Sequence, residues 1–225
     1  MPYKEKKKRK ITGATNIEGA SLTKIDDLNS YIKYNKENYF ELLNITSSKC
    51  SNGDFSNLTF EFIHFEDCVF NFCNFNDTTF INCEFVGCDF SSNTFDKSYL
   101  DKITIKSSKF SGSSFTKSKL SNMKIIESNF NLSSHFDSNI LDININKTTY
   151  LEASFDECKI KNFIINEVDF TKTQFFNTSL KDIDFSTSII DNIQFSTKMT
   201  EIKGMIVDTF QAADLATALG IKIKK

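Results

Sequence analysis

Six cysteines and two histidines are the side chains in this 225-residue chain best suited to metal or nucleophilic chemistry. A structural zinc site needs thiolates or imidazoles in closely spaced pairs. Cys50, Cys68, Cys73, Cys83, Cys88 and Cys158 form no Cys-x-x-Cys pair, and neither His64 nor His135 is spaced to complete one. A nucleophilic triad needs a Ser or Cys, a base and an orienting acid that converge, and neither histidine has such company. A Gly-rich phosphate loop and a paired-carboxylate motif are also missing. These residues point away from an enzyme, a metal centre or a bound cofactor.

The carboxylates say more. Between Cys50 and Asp96 there is no Lys or Arg, against eight acids: Asp54, Glu61, Glu66, Asp67, Asp77, Glu84, Asp89 and Asp96. From Asp101 to Thr200 the charges balance, so the acidity is local. Residues 4–10 hold six basic side chains against Glu5. No apolar segment follows them, so they are not expected to be a secretory signal, and no stretch is long enough for a membrane helix. Residues 1–12 are expected to be a solvated, disordered tail.

The elements that position these side chains follow from an internal repeat. From Phe55 to Phe195 every fifth residue belongs to one frame of 29 positions: 17 Phe, seven Ile, three Leu, Tyr150 and a single polar member, His135. Two residues earlier stands a small or β-branched residue in most units. Neither a helix nor an alternating strand has a five-residue period. One large and one small inward residue per five describes a short flat side followed by a corner. Cys68, Cys73, Cys83, Cys88 and Cys158 all occupy the small inward position, which gives them a packing role.

A 20-residue super-period sets the number of sides. Ile63, Ile103, Met123, Ile143, Phe163 and Ile183 are bulky where small residues are usual, and they lie on one 20-residue ladder. Most of their centres are trimmed to Ile, as close packing requires. Four pentapeptides therefore make one turn, and the fold class is a right-handed quadrilateral β-helix of about eight coils. Each coil lies on the last at strand spacing, near 4.8 Å, and stability is a sum over neighbouring coils.

Four segments are expected: the tail 1–12, an N-terminal cap region 13–39, the repeat 40–197 and a C-terminal cap 198–225. Upstream of Phe40 the frame fails. Thr15-Asn16-Ile17 and Ala20-Ser21-Leu22 read as isolated, out-of-phase units, and Thr23-Lys24-Ile25-Asp26 reads as a capping box before a short helix or loop. Downstream, Asp208 and Gln211 mark a helix start, Gly220 marks its stop, and residues 221–225 alternate as a strand does. Phe210, Leu215, Leu219, Ile221 and Ile223 give this cap more apolar surface than one coil end covers, which points to an isologous dimer.

Two outward features remain. By angular position the eight acids spread over several sides, either as a solvated surface or as carboxylates that imitate the charge of duplex DNA. Leu132, Phe136 and Leu151 are apolar at outward positions and outline a small exposed patch. Phe136 has a second reading. A one-residue slip would turn it inward and put His135 in solvent, sparing a buried imidazole a cost of roughly 1–3 kcal/mol, and this slip is the arrangement expected.

The five-residue frame is the mark of the pentapeptide-repeat superfamily. The segment Gly204-Met205-Ile206-Val207-Asp208-Thr209-Phe210-Gln211-Ala212-Ala213, with Leu215 and Leu219-Gly220-Ile221, resembles the C-terminal cap of the Qnr-like quinolone-resistance proteins. That resemblance implies a cytoplasmic, rod-shaped homodimer, without direct nucleic-acid or membrane contact, that binds DNA gyrase and topoisomerase IV and protects them from fluoroquinolones. The unbroken frame leaves no room for the coil-interrupting loops that many Gram-negative members carry. A pentapeptide-repeat scaffold or immunity protein with another partner is the alternative.

Overall fold

The computed structural model describes residues 21–224. The basic tail, the unit at Thr15-Asn16-Ile17 and Ala20 lie outside the described residues. The rest is a parallel β-solenoid in which chemically matched residues stand 20 apart. Phe60 pairs with Phe80, Leu100 with Leu120 and Ile140 with Ile160, all in parallel register. On the first side of the square the centres run from Phe40 to Leu180, seven turns from end to end. The first and second sides form continuous strands around a shared corner, as in Tyr99–Lys106 and Lys119–Ile126. The third and fourth sides pair mostly through single bridges.

Every turn lends the next one its backbone. The Phe95 amide donates to Ser114 O at 2.7 Å, and the Thr94 amide donates to Cys73 O at 3.1 Å. Inside, the rings stack: Phe75 lies 4.9 Å from Phe55 and 5.0 Å from Phe95, with the planes within 12°. Such contacts add to the burial of large apolar side chains.

The scarcity of glycine is resolved at the corners. The residue two places after a centre takes the left-handed conformation, and 28 of those residues are not glycine. Twelve of the 28 are Asn or Asp, the types that tolerate positive φ best. Others bear a cost of roughly 1–2 kcal/mol, offset where the corner amide reaches the next coil, as Lys97 does to Thr116 O at 2.8 Å. Phe72 is the bulkiest exposed case, at φ 57 and 65% exposed. Phe72→Asn is expected to raise stability by about 1 kcal/mol in urea melts. A loss of stability would show that the ring contributes packing there.

Small inward residues do more than leave space. Ser118 Oγ donates to Phe95 O at 2.7 Å and accepts from the Ser98 amide at 3.2 Å. Ser138 repeats both contacts one coil on, with Phe115 O and the Ser118 amide. The ladder satisfies backbone groups that the turn leaves inside the core, where an unpaired group is costly. Cysteine substitutes for the hydroxyl: Cys158 Sγ donates to His135 O and Cys88 Sγ to Phe65 O.

The frame does not slip at His135. His135 is 3% exposed and Phe136 is 38% exposed, the reverse of the expected arrangement. The imidazole lies parallel between Phe115 and Phe155, with centroids 5.1 and 4.5 Å away. Ser133 Oγ stands 3.1 Å from its Nε2, so one ring nitrogen keeps a partner. The inter-coil bonds on either side also survive, His135 N to Ser154 O and Asp137 N to Asp156 O. A bulge would break them, and a half-satisfied ring in an intact ladder is the better compromise.

Both ends differ from expectation in detail. Thr23–Ile25 is a strand on the frame, with Ile25 paired to Ile45, so the repeat resumes upstream of Phe40. Helix α1 (Leu28–Asn35) starts later than the supposed capping box, because Asp27 is its cap: Oδ1 accepts the Ser30 amide at 3.1 Å. Leu28 is buried, and Tyr31 packs toward Phe40, closing the N-terminal end. At the other end helix α2 (Thr209–Ala218) has its capping box at Asp208 and Gln211, and Gly220 turns left-handed as the Ile221 amide returns to Ala216 O. Residues 221–224 form no strand.

Candidate partner-binding surfaces

The eight acids sit on every side of the rod. Glu61 lies on the first side, Glu66, Asp67 and Glu84 on or just beyond the second, Asp89 on the third, and Asp54, Asp77 and Asp96 on the fourth. Three of them serve the backbone. Asp54 Oδ1 accepts the Ser56 amide at 3.1 Å, Asp89 Oδ1 the Ser91 amide at 3.0 Å, and Asp96 Oδ1 the Thr116 amide at 3.0 Å. The Ser56 contacts hold the Asp54 carboxyl below its ordinary pKa. Asp67 lies against Gly87 in the next coil, close enough to meet any Cβ built there.

The acids of the first two sides have partners beyond these eight residues. Glu41 stands opposite Glu61 in register, and the Tyr39 hydroxyl is 2.7 Å from Glu61 Oε2 and 3.0 Å from Glu41 Oε2. Glu41 stands one 20-residue period before Glu61, so that signal was legible. His64 Nδ1 is 3.2 Å from Glu84 Oε2, and this hydrogen bond raises the imidazole pKa against the opposing pull of burial.

The same two sides change sign along the rod. Their levels from Tyr39 to Val86 carry Glu41, Glu61, Glu66 and Glu84 and no lysine, with Lys24 on the short strand Thr23–Ile25 before them. The four strands from Tyr99–Lys106 to Lys159–Asn166 carry Lys102, Lys106, Lys119, Lys124, Lys159 and Lys161 against Asp101 and Asp142. The excess of carboxylates on these two sides is confined to the N-terminal coils.

The apolar patch is small but contiguous. The Leu132 amide donates to Leu151 O at 2.8 Å, which sets the two side by side on adjacent coils. Leu132 is exposed, Leu151 is half-buried, and Phe136 stands one side further round. The C-terminal cap exposes more: Phe210 is 83% exposed, and Leu219, Ile221 and Ile223 are each about half exposed. Leu215 instead packs on the core. A groove of about 300 Å³ runs between Ile190–Ile193 of the last coil and α2, with Asp191 and Asp214 on its lining. Glu201, not singled out from sequence, is buried where the last coil closes. Burial alone would raise its pKa, but hydrogen bonds from the Ser196 and Asn177 amides hold it below the ordinary value.

The cysteines sit inside the walls. Burial pushes the Cys83 and Cys158 thiols up to about 12, far from the thiolate that nucleophiles and ligands need. Cys68 and Cys88 stack in adjacent coils, and the neighbouring thiol together with burial raises Cys88. Among the described residues no group of three or more His, Cys, Asp or Glu is placed to hold a metal ion. No described helix is long and apolar enough to cross a membrane.

The coil of stacked five-residue sides, with its large and small inward positions, defines a four-sided parallel β-solenoid. Residues 54–91 match the family model for pentapeptide repeats, in eight copies. Among solved structures the chain is similar to full-length QnrB1, a plasmid-mediated fluoroquinolone resistance protein, at 18% identity over 88% of this chain and 95% of that one, with a TM-score of 0.41. It is also similar to HetL, a pentapeptide-repeat protein involved in heterocyst differentiation regulation in the cyanobacterium Nostoc, at 8% identity over 80% of this chain and 92% of that one, with a TM-score of 0.30. No curated protein matches the sequence.

Proposed function

We propose that the protein is a cytoplasmic, non-enzymatic homodimer that engages bacterial type II topoisomerases, DNA gyrase or topoisomerase IV, by partial DNA mimicry and protects them from fluoroquinolones. The observation that carries this reading is the acidic stretch between Cys50 and Asp96, free of Lys and Arg, set on a rod whose far end exposes an apolar cap. Carboxylates at the coil spacing can compete for a groove built to hold phosphates. The resemblance of the cap segment around Asp208–Gln211 to that of the Qnr-like proteins supports the choice of partner. A scaffold for a different partner would use the apolar patch around Leu132 instead.

Supercoiling by purified gyrase, with and without ciprofloxacin, tests the reading. Inhibition or rescue at micromolar protein is the expected result, and the absence of both would overturn it. Converting Glu61, Glu66, Asp67 and Asp77 together to their amides is expected to weaken topoisomerase binding by at least tenfold at low salt. Added salt should then weaken the wild type more than the variant, because screening acts on the charges the variant lacks. Equal affinities at low salt would assign the contact to the apolar surface.

A further inference from the structure

The three departures from a phenylalanine-filled interior meet at one place. His135 replaces Phe on the fourth side, Tyr150 replaces Phe on the third, and the first and second sides are trimmed to aliphatic residues, among them Leu120, Ile125 and Ile145. These side chains line a common internal cavity of about 20 Å³. A water molecule needs at least about 10–15 Å³ of such space and two or more polar neighbours.

The wall is otherwise apolar, and its two polar residues are His135 and Tyr150. Nδ1 of His135 is fully buried and has no hydrogen-bond partner among the protein groups, while Nε2 is taken by Ser133 Oγ. Tyr150 is 2% exposed, and burial alone raises the pKa of its hydroxyl, with no hydrogen bond acting on it. The two rings are neighbours, with centroids 6.1 Å apart and planes inclined at 53°. A phenol is longer than a phenyl by one oxygen, and the trimmed side opposite provides the room. A buried phenol and a buried imidazole nitrogen that both lack partners would each bear a desolvation penalty, and a shared small donor and acceptor removes both.

We infer that this cavity is a binding site for one water molecule, which donates to His135 Nδ1 and accepts from the Tyr150 hydroxyl. The neutral imidazole then carries its proton on Nε2 and donates it to Ser133 Oγ. The interior is thus built around a polar centre midway along the rod.

Oxygen-17 magnetic relaxation dispersion, which counts long-lived internal waters, tests this directly on the intact chain. Wild type is expected to hold one more such water than the double variant His135→Phe, Tyr150→Phe, whose side chains restore the phenyl columns. Equal counts would overturn the proposal. A high-resolution crystal structure of the wild type gives a readout that does not depend on the variant folding. One ordered density peak within hydrogen-bond reach of both atoms is expected. A cavity without density that takes up xenon under pressure would show a dry apolar void and overturn the proposal.

Discussion

Replacing His135 with phenylalanine is expected to flatten the acid limb of the stability curve. Burial lowers the imidazole pKa from 6.5 to about 3. Between those values the unfolded chain binds a proton that the folded chain refuses, so stability falls as pH drops through 6.5 and continues to fall toward 3. Above 6.5 the ring is neutral in both states and adds no slope. At 1.36 kcal/mol per pKa unit, the gap amounts to about 5 kcal/mol of acid sensitivity from one side chain. The carboxylates titrate in both proteins and cancel in the comparison. Urea melts at pH 7, 5 and 4 measure the difference. Parallel stability curves for His135→Phe and wild type would show that the ring reaches solvent or finds an acid partner, against its burial between Phe115 and Phe155.

The second large effect concerns the proposed dimer. Phe210→Asp with Leu219→Asp is expected to convert a dimer into a monomer in light scattering at tens of micromolar. Phe210 is 83% exposed and Leu219 51% exposed in the single chain, so their replacement costs the fold little. In an isologous interface each change appears twice, and an unpaired carboxylate there is strongly unfavourable. The basic tail residues Lys222 and Lys224 alternate with Ile221 and Ile223, and the groove beside α2 is lined by Asp191, Asp214 and Leu215. Charge and apolarity therefore match if the partner's tail crosses that groove. Thermal melts of the variant monomer should retain the solenoid transition, which separates lost pairing from lost folding. A wild-type protein that is monomeric at the same concentration would remove the basis for the dimer.

Much of this architecture was legible because the period is a direct consequence of geometry. Five residues make one side, and four sides bring residue i beneath residue i+20. Any residue type demanded by the core at one level is therefore demanded again 20 positions later. Phe60 over Phe80 and Ile125 over Ile145 need no tertiary knowledge beyond that count. The capping box at Asp208 and Gln211 was readable for a related reason: its partners lie three residues apart, and local hydrogen bonds decide it.

The frame alone could not decide how the backbone groups around His135 are satisfied. An imidazole in a phenylalanine column looks like an error until Ser133 is seen to reach Nε2 and the inter-coil ladder is seen to continue on both sides. The start of α1 was misplaced likewise, since the pairing of Ile25 with Ile45 claims the residues that locally resemble a helix cap. The strand expected after Gly220 needs an edge to pair with, and alternation cannot supply one. The outward acids show the same division. Their presence in the first coils was plain from composition, but only the folded coil shows which oxygens are occupied by Ser56, Ser91 and Thr116 amides. The sequence by itself determined the repeat, the square coil, the capping box at Asp208 and Gln211 and the acidic coils, because each rests on spacing along the chain. Tertiary structure decided the inward face at His135, the occupied carboxylates, the reversal of charge along two sides and the cavity beside Tyr150. Apart from the local contacts of Asp54 with Ser56 and Asp89 with Ser91, those depend on atoms brought together from different coils, where distance in space no longer follows distance in sequence.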